Sequence, residues 1–167
     1  MITIRPLNAA DAERFKALRL LATKTSPTAI WPTHEEENGR SIDEVAGRIA
    51  STDAQIVFGA FASDALVGIT GLRRLPLMKV SHKATIWGVF VDPAHRGKGI
   101  AQNLLHAVAE HASEKWGCAQ LQLCVNAENL AAKRLYASQG FVVFGVEPRA
   151  LRVDGQFYDE EHMYKAL

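Results

Sequence analysis

The residues of this chain with the clearest chemical potential lie in a basic, glycine-interrupted turn that joins an apolar strand to a helix. The turn reads Arg96-Gly97-Lys98-Gly99, and the helix begins at Ile100. Because glycine lacks a Cβ atom, Gly97 and Gly99 allow a sharp turn in which successive backbone N–H groups converge on one anion at the helix N-terminus. Arg96 and Lys98 add positive charge at the same point. The turn is therefore predicted to bind a pyrophosphate group.

A second segment with functional residue types runs from Val125 to Phe141. Asn129 is expected to cap a helix, which would place Ala132 and Tyr136 four residues apart on one face. Leu135 is interpreted as a core anchor that points away from that face. A tyrosine in such a helix is often an ordinary core aromatic. A functional role for Tyr136 is therefore inferred only because the basic turn at 96–99 and the segment 125–141 occur in the same chain.

Together the two segments resemble the GNAT superfamily of acyl-CoA-dependent N-acyltransferases. Arg96, Gly99 and Ala101 match that family's signature Arg/Gln-x-x-Gly-x-Gly/Ala. The downstream segment, from Asn129 to Phe141, matches the signature Asn-x-x-Ala-x-x-Leu-Tyr-x-x-x-Gly-Phe. The resemblance extends over nearly the whole chain. It is weaker in the N-terminal half, which largely selects the acceptor in this family.

The resemblance implies that acetyl-CoA is the cosubstrate and that it lies between two strands whose ends splay apart. Its pyrophosphate would bind the segment Arg96–Ala101. The backbone of Val89 and Val91 would pair with the pantetheine arm like an added strand. An N–H group near Val89 or Phe90 would face the thioester oxygen. Asn129 would contact the pantetheine arm while also capping its helix.

The resemblance also implies an N-acetyltransferase in which a primary amine attacks the thioester directly within a ternary complex. Tyr136 is predicted to be the general acid, or a hydrogen-bond donor, for the departing sulfur. A phenol with a pKa of about 10 can protonate the thiolate of a thiol with a pKa of about 8.5 only with help from positioning and burial. No covalent intermediate is required.

The base that would deprotonate the amine is left open by the sequence. Members of this family that acetylate peptides often carry a glutamate in the strand that corresponds to residues 123–125 or in the strand 84–91. This chain has Cys124 in the first and no carboxylate in the second. A base that acts through water is equally compatible. The candidate bases, in segments that line the acceptor side in this family, are Glu35, Glu36, Glu37, His82, Tyr158, Asp159 and Glu160. The run 159–162 has a competing interpretation as a charge cluster on an edge strand, where it would discourage aggregation.

Composition narrows the class of protein. The chain has 167 residues, of which 48% are hydrophobic and 22% charged, which is typical of one soluble globular domain, 1–167. The net charge of +1 gives no global electrostatic reason to bind nucleic acid or an anionic membrane.

A cytoplasmic location is expected, because the chain shows no export signal and no stretch of about 18 apolar residues that could span a bilayer. Cys118 and Cys124 are interpreted as free thiols, and no metal is predicted because His106 and His111 are poorly spaced as ligands.

The order of the predicted elements is one strand, two helices, three strands, a helix, a strand, a helix and two strands. This order gives a mixed α/β fold, and the resemblance specifies a GNAT-like, mostly antiparallel sheet with splayed central strands and helices on both faces. Helices are expected after the caps Asn8, Ser41 and Asn129 and over residues 100–116, whereas residues 24–40 should form a loop or a broken helix. Strands are expected at 2–5, 55–62, 65–72, 84–91, 119–125, 141–147 and 157–165.

Two other classes of function compete with a transferase. A CoA-binding sensor or regulatory module would keep the anion-binding turn and lack the catalytic base. A nucleotide-phosphate binder fits less well, because the turn lacks the Gly-Lys-Ser/Thr ending and the glycine spacing of a P-loop. The acceptor is open among amino acids, small-molecule drugs, polyamines and protein N-termini. A homodimer is compatible with the resemblance, since dimers are common among similar proteins.

Overall fold

The protein is described by a computed structural model that covers residues 1–167. The strands are β1 (Ile2–Pro6), β2 (Gln55–Ala62), β3 (Ala65–Arg73), β4 (Lys83–Val91), β5 (Gln120–Asn126), β6 (Val142–Val153) and β7 (Gln156–Ala166). The α-helices are α1 (Ala12–Thr25), α2 (His34–Asn38), α3 (Ile42–Ile49), α4 (Ile100–Glu110) and α5 (Leu130–Ser138). All strands join one sheet in the order β1-β2-β3-β4-β5-β7-β6, in which only β4 and β5 run parallel. The predicted mixed, mostly antiparallel sheet is confirmed.

Apolar side chains on both faces of the sheet hold the helices in place. Along β2, Phe58 belongs to one buried cluster and Val57 to another, because successive side chains of a strand point to opposite faces. The first cluster includes Leu104 of α4, and the second includes Phe15 and Leu18 of α1. Helices therefore cover both faces, as the resemblance implied. No helix combines the length and the apolar character that crossing a bilayer requires.

The predicted starts of the first two long helices are confirmed. Asn8 caps a short 3-10 turn that leads directly into α1. Ser41 and Glu44 form a reciprocal capping box at the start of α3. Each cap satisfies backbone N–H groups that have no partner inside the helix.

The segment 24–40 is more ordered than the expected loop or broken helix. Thr33 and Glu36 form a capping box of their own, and the short helix α2 follows it. The Thr-x-x-Glu spacing is the usual signal for such a start. The two prolines and the short apolar pattern obscured that signal in the sequence.

The helix predicted over residues 100–116 changes type near its end. The α-helix stops at Glu110, and His111–Lys115 continue as a π-helix in which the N–H of Trp116 donates to the carbonyl of His111 at 3.2 Å. The His111 ring packs edge-on against both Phe58, at 5.8 Å, and Trp116, at 5.0 Å. Tertiary packing of these rings accompanies the wider turn, and helical periodicity alone does not reveal it.

The last two strands form a long hairpin at one side of the sheet. β6 continues to Val153, well beyond the predicted end at Glu147. β7 lies between β5 and β6, so it is an internal strand and the edge belongs to β6. The interpretation of the acidic run 159–162 as an edge-strand charge cluster is therefore wrong. Glu160 is only 5% exposed, and the burial of this charged side chain is not explained by a role at an exposed edge.

Candidate active site

The central feature of the site is a gap between β4 and β5. The two strands are paired over three positions, the last of which joins Thr85 to Gln122. Beyond that point β4 stays paired with β3 as far as Val91, and β5 stays paired with β7 as far as Asn126. Across the gap each strand therefore presents backbone groups that lack a strand partner. This opening is the splay that the resemblance implied.

A β-bulge in β4 shapes one wall of the gap. Between the register pairs Phe90–Ile69 and Trp87–Gly71, β4 contains one residue more than β3. Gly88 lies in this stretch with a φ of +66°, in the left-handed region that favours glycine. A bulge redirects the backbone groups of its strand, here beside the gap. It was not predicted, although a glycine inside an apolar strand is its usual signal.

The turn between β4 and α4 leaves a row of backbone amides free. None of the six N–H groups from Gly97 to Gln102 donates a hydrogen bond within the chain. Gly97 and Gly99 have φ values of +74° and +73°, and α4 begins without a side-chain cap. The positive end of the helix dipole points the same way. The turn therefore offers free donors to a phosphate group.

The basic side chains of this turn are exposed beside the gap. Arg96 donates from Nε to the carbonyl oxygen of Val91 at 3.0 Å, and its guanidinium carbon lies 5.5 Å from the centre of the Phe90 ring. These contacts fix Arg96 at the end of β4, with the rest of its donors available. Lys98 extends from the exposed part of the turn.

The loop between β5 and α5 is fastened by two asparagines. The side-chain oxygen of Asn129 accepts a hydrogen bond from the N–H of Ala132 at 3.2 Å, so the predicted cap is present. The side chain of Asn126 donates to the carbonyl oxygen of Thr28 at 3.1 Å, which ties the loop after α1 to the end of β5. The side-chain nitrogen Nδ2 of Asn129 forms no hydrogen bond within the chain and is free to contact a ligand, whereas its backbone N–H donates to the carbonyl oxygen of Asn126 at 2.9 Å.

Tyr136 is the buried residue of α5. It is 7% exposed, and its ring packs edge to face against Phe141 with the centroids 6.1 Å apart. Burial raises the pKa of Tyr136 to about 12, so the phenol stays protonated at neutral pH and can donate a hydrogen bond. Leu135, the expected core anchor, is only half-buried. It nevertheless packs against the same buried cluster as Tyr136, so its predicted contact with the core is confirmed, with Tyr136 the more deeply buried of the two.

A cavity of about 810 Å³ adjoins the gap on the side of α1, α2 and α3. Residues of β4 from Thr85 to Phe90 form one wall, and Cys124 of β5 and Glu160 of β7 line the cavity as well. Trp31, in the loop after α1, donates its indole N–H to Glu160 Oε2 at 3.2 Å. The volume is within the range of about 300–1,000 Å³ that is usual for small-molecule sites.

Most of the candidate bases are exposed, hydrogen-bonded elsewhere or outside this cavity. Glu35 and Glu36 line it from exposed positions, and Glu36 is engaged in the cap of α2. His82 precedes the paired end of β4, away from the gap. Tyr158 does not line the cavity, and Asp159 accepts a hydrogen bond from a backbone N–H of β6.

Glu37 is buried but is engaged by two arginines. Its Oε1 lies 2.7 Å from Arg19 Nη2 and 3.4 Å from Arg48 Nη1, and the residue is 1% exposed. Burial acts to raise the pKa of Glu37, but the hydrogen bond and charge of Arg19, together with the charge of Arg48, hold it below its usual value. Glu37 therefore orients the two guanidinium groups and is a poor proton acceptor.

Glu160 is the candidate base that the fold brings into the cavity. It is almost fully buried beside Cys124, and its carboxylate forms no ion pair with a basic side chain. Its one hydrogen bond within the chain comes from Trp31. A buried carboxylate without a cationic partner favours binding a positively charged group.

Cys124 lines the same cavity but is not prepared to act as a nucleophile. Its Sγ lies 3.3 Å from His162 Nδ1, and His162 Nε2 lies 3.1 Å from Glu147 Oε2. Burial, and then the charges of Glu160 and Glu147, raise the pKa of the thiol to about 11, so it stays protonated at neutral pH. Both cysteines of the chain are unpaired, as predicted. The structure contains no group of three or more His, Cys, Asp or Glu side chains that could hold a metal ion.

Comparisons with known proteins agree on the kind of protein. The chain matches the sequence model of the Acetyltransferase (GNAT) family over residues 17–141. It is 35% identical over 155 residues to the N-alpha-acetyltransferase RimI of Mycobacterium tuberculosis, which covers 92% of this chain and 87% of that protein. It is 23% identical over 163 residues to the spermidine N(1)-acetyltransferase of Vibrio cholerae, which covers 98% of this chain and 91% of that protein. Its fold is similar to that of yncA of Salmonella typhimurium, solved with its cofactor acetyl-CoA, with a TM-score of 0.84 and 22% identity over 100% of this chain and 94% of that one.

Replacing Gly99 by aspartate is expected to weaken acetyl-CoA binding by roughly 100-fold or more, because a negative charge would stand among the free amides. A Cβ at this position would meet no atom within 4 Å, although the positive φ of Gly99 adds some backbone strain that a matched control must share. Titration calorimetry with acetyl-CoA measures the effect. Gly155→Asp is the matched control, since Gly155 also has a positive φ, of +78°, and open space around it, but lies in the distant β6–β7 turn. Equal affinity of the two variants would remove the turn from the binding site.

Proposed function

The chain belongs to the acetyltransferase (GNAT) family, and we propose that it brings acetyl-CoA and a primary amine together at the gap between β4 and β5 for direct attack in a ternary complex. The observation that supports this site most strongly is the parting of the two strands beside a turn with six free amides. The acetyl group passes from the sulfur of acetyl-CoA to the amine nitrogen, and free CoA is the second product. The whole chain, 1–167, would act as one domain.

The diphosphate of acetyl-CoA is assigned to the turn after β4. The amides from Gly97 to Gln102, which include those of Lys98, Gly99, Ile100 and Ala101, would donate hydrogen bonds to its oxygens. Arg96 and Lys98 would balance its charge. An uncapped helix N-terminus adds a favourable interaction of about 0.3–1 kcal/mol for each exposed charge.

The pantetheine arm is assigned to the edge of β4. The unpaired backbone groups of Val89 and Val91 would bind its amides in the manner of an added strand, and Asn129 would approach it from α5. The bulge at Gly88 supports the further assignment that an N–H of Val89 or Phe90 faces the thioester oxygen. Such a donor would stabilise the negative charge that develops on that oxygen during attack.

Tyr136 is assigned to the leaving group. Its raised pKa keeps the phenol protonated, and its hydroxyl has no hydrogen-bond partner in the chain. It can therefore donate a hydrogen bond to the sulfur as the carbon–sulfur bond breaks, whereas the raised pKa makes complete proton transfer to the thiolate less favourable. The protonated thiol of Cys124 supports direct transfer rather than an acyl-cysteine intermediate.

Glu160 is assigned to the acceptor amine. Its buried, unpaired carboxylate would bind the incoming ammonium group and accept the proton that must leave before attack. This assignment provides the base that the strand positions of Cys124 and 84–91 lack. It also weakens the sensor alternative, whose main support was the absence of a suitable glutamate.

The acceptor is an amine, and both small molecules and peptides are represented among the acceptors named for similar proteins. RimI is named an N-alpha-acetyltransferase, and the Vibrio cholerae relative is named for the N(1) position of spermidine. Those names apply to those proteins. For this chain the charges that line the cavity bear on the acceptor class.

Wild-type protein is expected to release CoA thiol from acetyl-CoA in the presence of a suitable amine, and Tyr136→Phe should lower kcat by about 100-fold or more with little change in acetyl-CoA affinity. Thiol release across an amine panel, together with calorimetry, measures both quantities. Tyr164→Phe removes a hydroxyl from a partly exposed position of β7 and serves as the control. Tight acetyl-CoA binding without turnover by any amine would favour the sensor, whereas full activity of Tyr136→Phe would exclude Tyr136 from the mechanism.

Replacing Glu160 by glutamine should lower kcat/KM for the amine by about 100-fold near neutral pH. The residual activity should rise with pH, because a larger fraction of the amine is then already neutral. Glutamine can still accept the hydrogen bond from Trp31, so the cavity should keep its shape. Glu35→Gln, an exposed residue of the same cavity, is the control. A pH–rate profile of Glu160→Gln that matches the wild type would contradict the assignment.

A further inference from the structure

We infer that the acceptor is a small amine that also carries an anionic group, as an amino acid does; this inference rests on the proposed function of the cavity. Glu160 provides an unpaired carboxylate on the β7 side of the cavity. Three guanidinium groups, those of Arg19, Arg40 and Arg48, line it on the side of α1, α2 and α3. A ligand with one positive and one negative group matches this arrangement.

The three arginines carry more positive charge than the chain neutralises. Arg19 and Arg48 share a single oxygen of Glu37, at 2.7 Å and 3.4 Å. Arg40 forms no ion pair, and its Nε is enclosed by the protein without a hydrogen-bond partner. Glu37 therefore pairs with two of the three guanidinium groups, and that of Arg40 is left without a carboxylate partner. Because buried polar groups are normally hydrogen-bonded, the unused donors favour an anionic partner.

The arginines are also close enough to influence one another. Burial lowers the pKa of Arg48, the charge of Glu37 opposes this effect, and the charges of Arg19 and Arg40 act in the same direction as burial. An added carboxylate would relieve this repulsion. The planar guanidinium group suits a carboxylate well, because it can donate two parallel hydrogen bonds to it.

The other charged residues around the cavity do not cancel this surplus. Glu36 and Glu44 each accept a hydrogen bond from the backbone N–H of the residue that caps their own helix, at 2.8 Å and 2.7 Å. Both are exposed, as are Glu35 and Arg73. Exposed charges are screened by water and salt, so the enclosed groups determine which ligand is preferred.

The positions of the charges also give the ligand an orientation. Arg19 and Arg48 lie over the Trp87 ring of β4, with guanidinium carbons 6.0 Å and 5.8 Å from its centre. Glu160 is on β7, two strands away and on the far side of the gap, so it lies more than about 10 Å from them across the sheet. The amine would lie near Glu160 and the anionic group toward the arginines. A polyamine, which has only positive groups, would be repelled by the arginine side of the cavity.

A set of matched acceptors tests this inference. The set comprises L-amino acids and linear amino acids from glycine to 6-aminohexanoate, each compared with its carboxamide, together with spermidine and an alanine-initiated peptide. The carboxamides keep the amine and lose only the negative charge. Their amines are less basic and so more often neutral, which means that a preference for the acid cannot come from amine reactivity. At least one acid should exceed its carboxamide in kcat/KM by about tenfold or more.

The Arg40→Gln variant tests the same point from the side of the protein. It should lower kcat/KM about tenfold for the preferred acid and change that for its carboxamide by less than about twofold. Turnover of the carboxamide also shows that the variant is folded. Arg152→Gln, at an exposed position of β6, is the control and should leave both values unchanged.

Three outcomes would overturn the inference, and they differ in what they mean for the proposed function. If every carboxamide equals or exceeds its acid while some amine is acetylated, the enzyme assignment stands and the inference fails. The same conclusion follows if Arg40→Gln lowers acid and carboxamide turnover equally. If no amine in the set supports thiol release, the proposed function fails together with the inference.

Discussion

Backbone pairing between β4 and β5 ends after Thr85 and Gln122, and the chemistry of the molecule depends on that early end. Open strand edges inside a protein are unfavourable, because backbone N–H and C=O groups need partners. Here each strand is held on its other side, β4 by β3 and β5 by β7, so the gap persists without loss of the sheet. An extended ligand with its own amide groups can supply the missing partners. The pantetheine arm of acetyl-CoA is such a ligand.

In the proposed arrangement, electrostatics divides the two substrates between two ends of the site. The turn after β4 would bind the anionic part of acetyl-CoA through free amides, a helix N-terminus and the basic residues Arg96 and Lys98. On the cavity side, Glu160 would attract the amine, while Arg40 and its neighbours would face the remainder of the acceptor. With a net charge of +1 for the whole chain, neither effect could come from overall charge. Both arise because the fold gathers a few charges and donors at particular points.

Local features of the site were predictable from the sequence, whereas its long-range features were not. Gly97 and the Asn129 cap depend on conformations set within a few neighbouring residues, so their sequence patterns were informative. The bulge at Gly88 depends on the register between β4 and β3, which sequence spacing does not specify. Glu160 is buried through β7's internal position and through Trp31, which lies 129 residues away in the chain. The deeper burial of Tyr136 compared with Leu135 likewise reflects how α5 rotates against the sheet.

Amide hydrogen exchange with and without acetyl-CoA tests most directly whether the cosubstrate occupies the gap and uses the free amides. Binding should slow exchange in residues 86–91 of β4 and 97–102 of the turn, while β1 and β6, which lie at the outer edges of the sheet, should change little. Acetyl-CoA binding that leaves exchange in both of the first two segments unaltered would contradict the account.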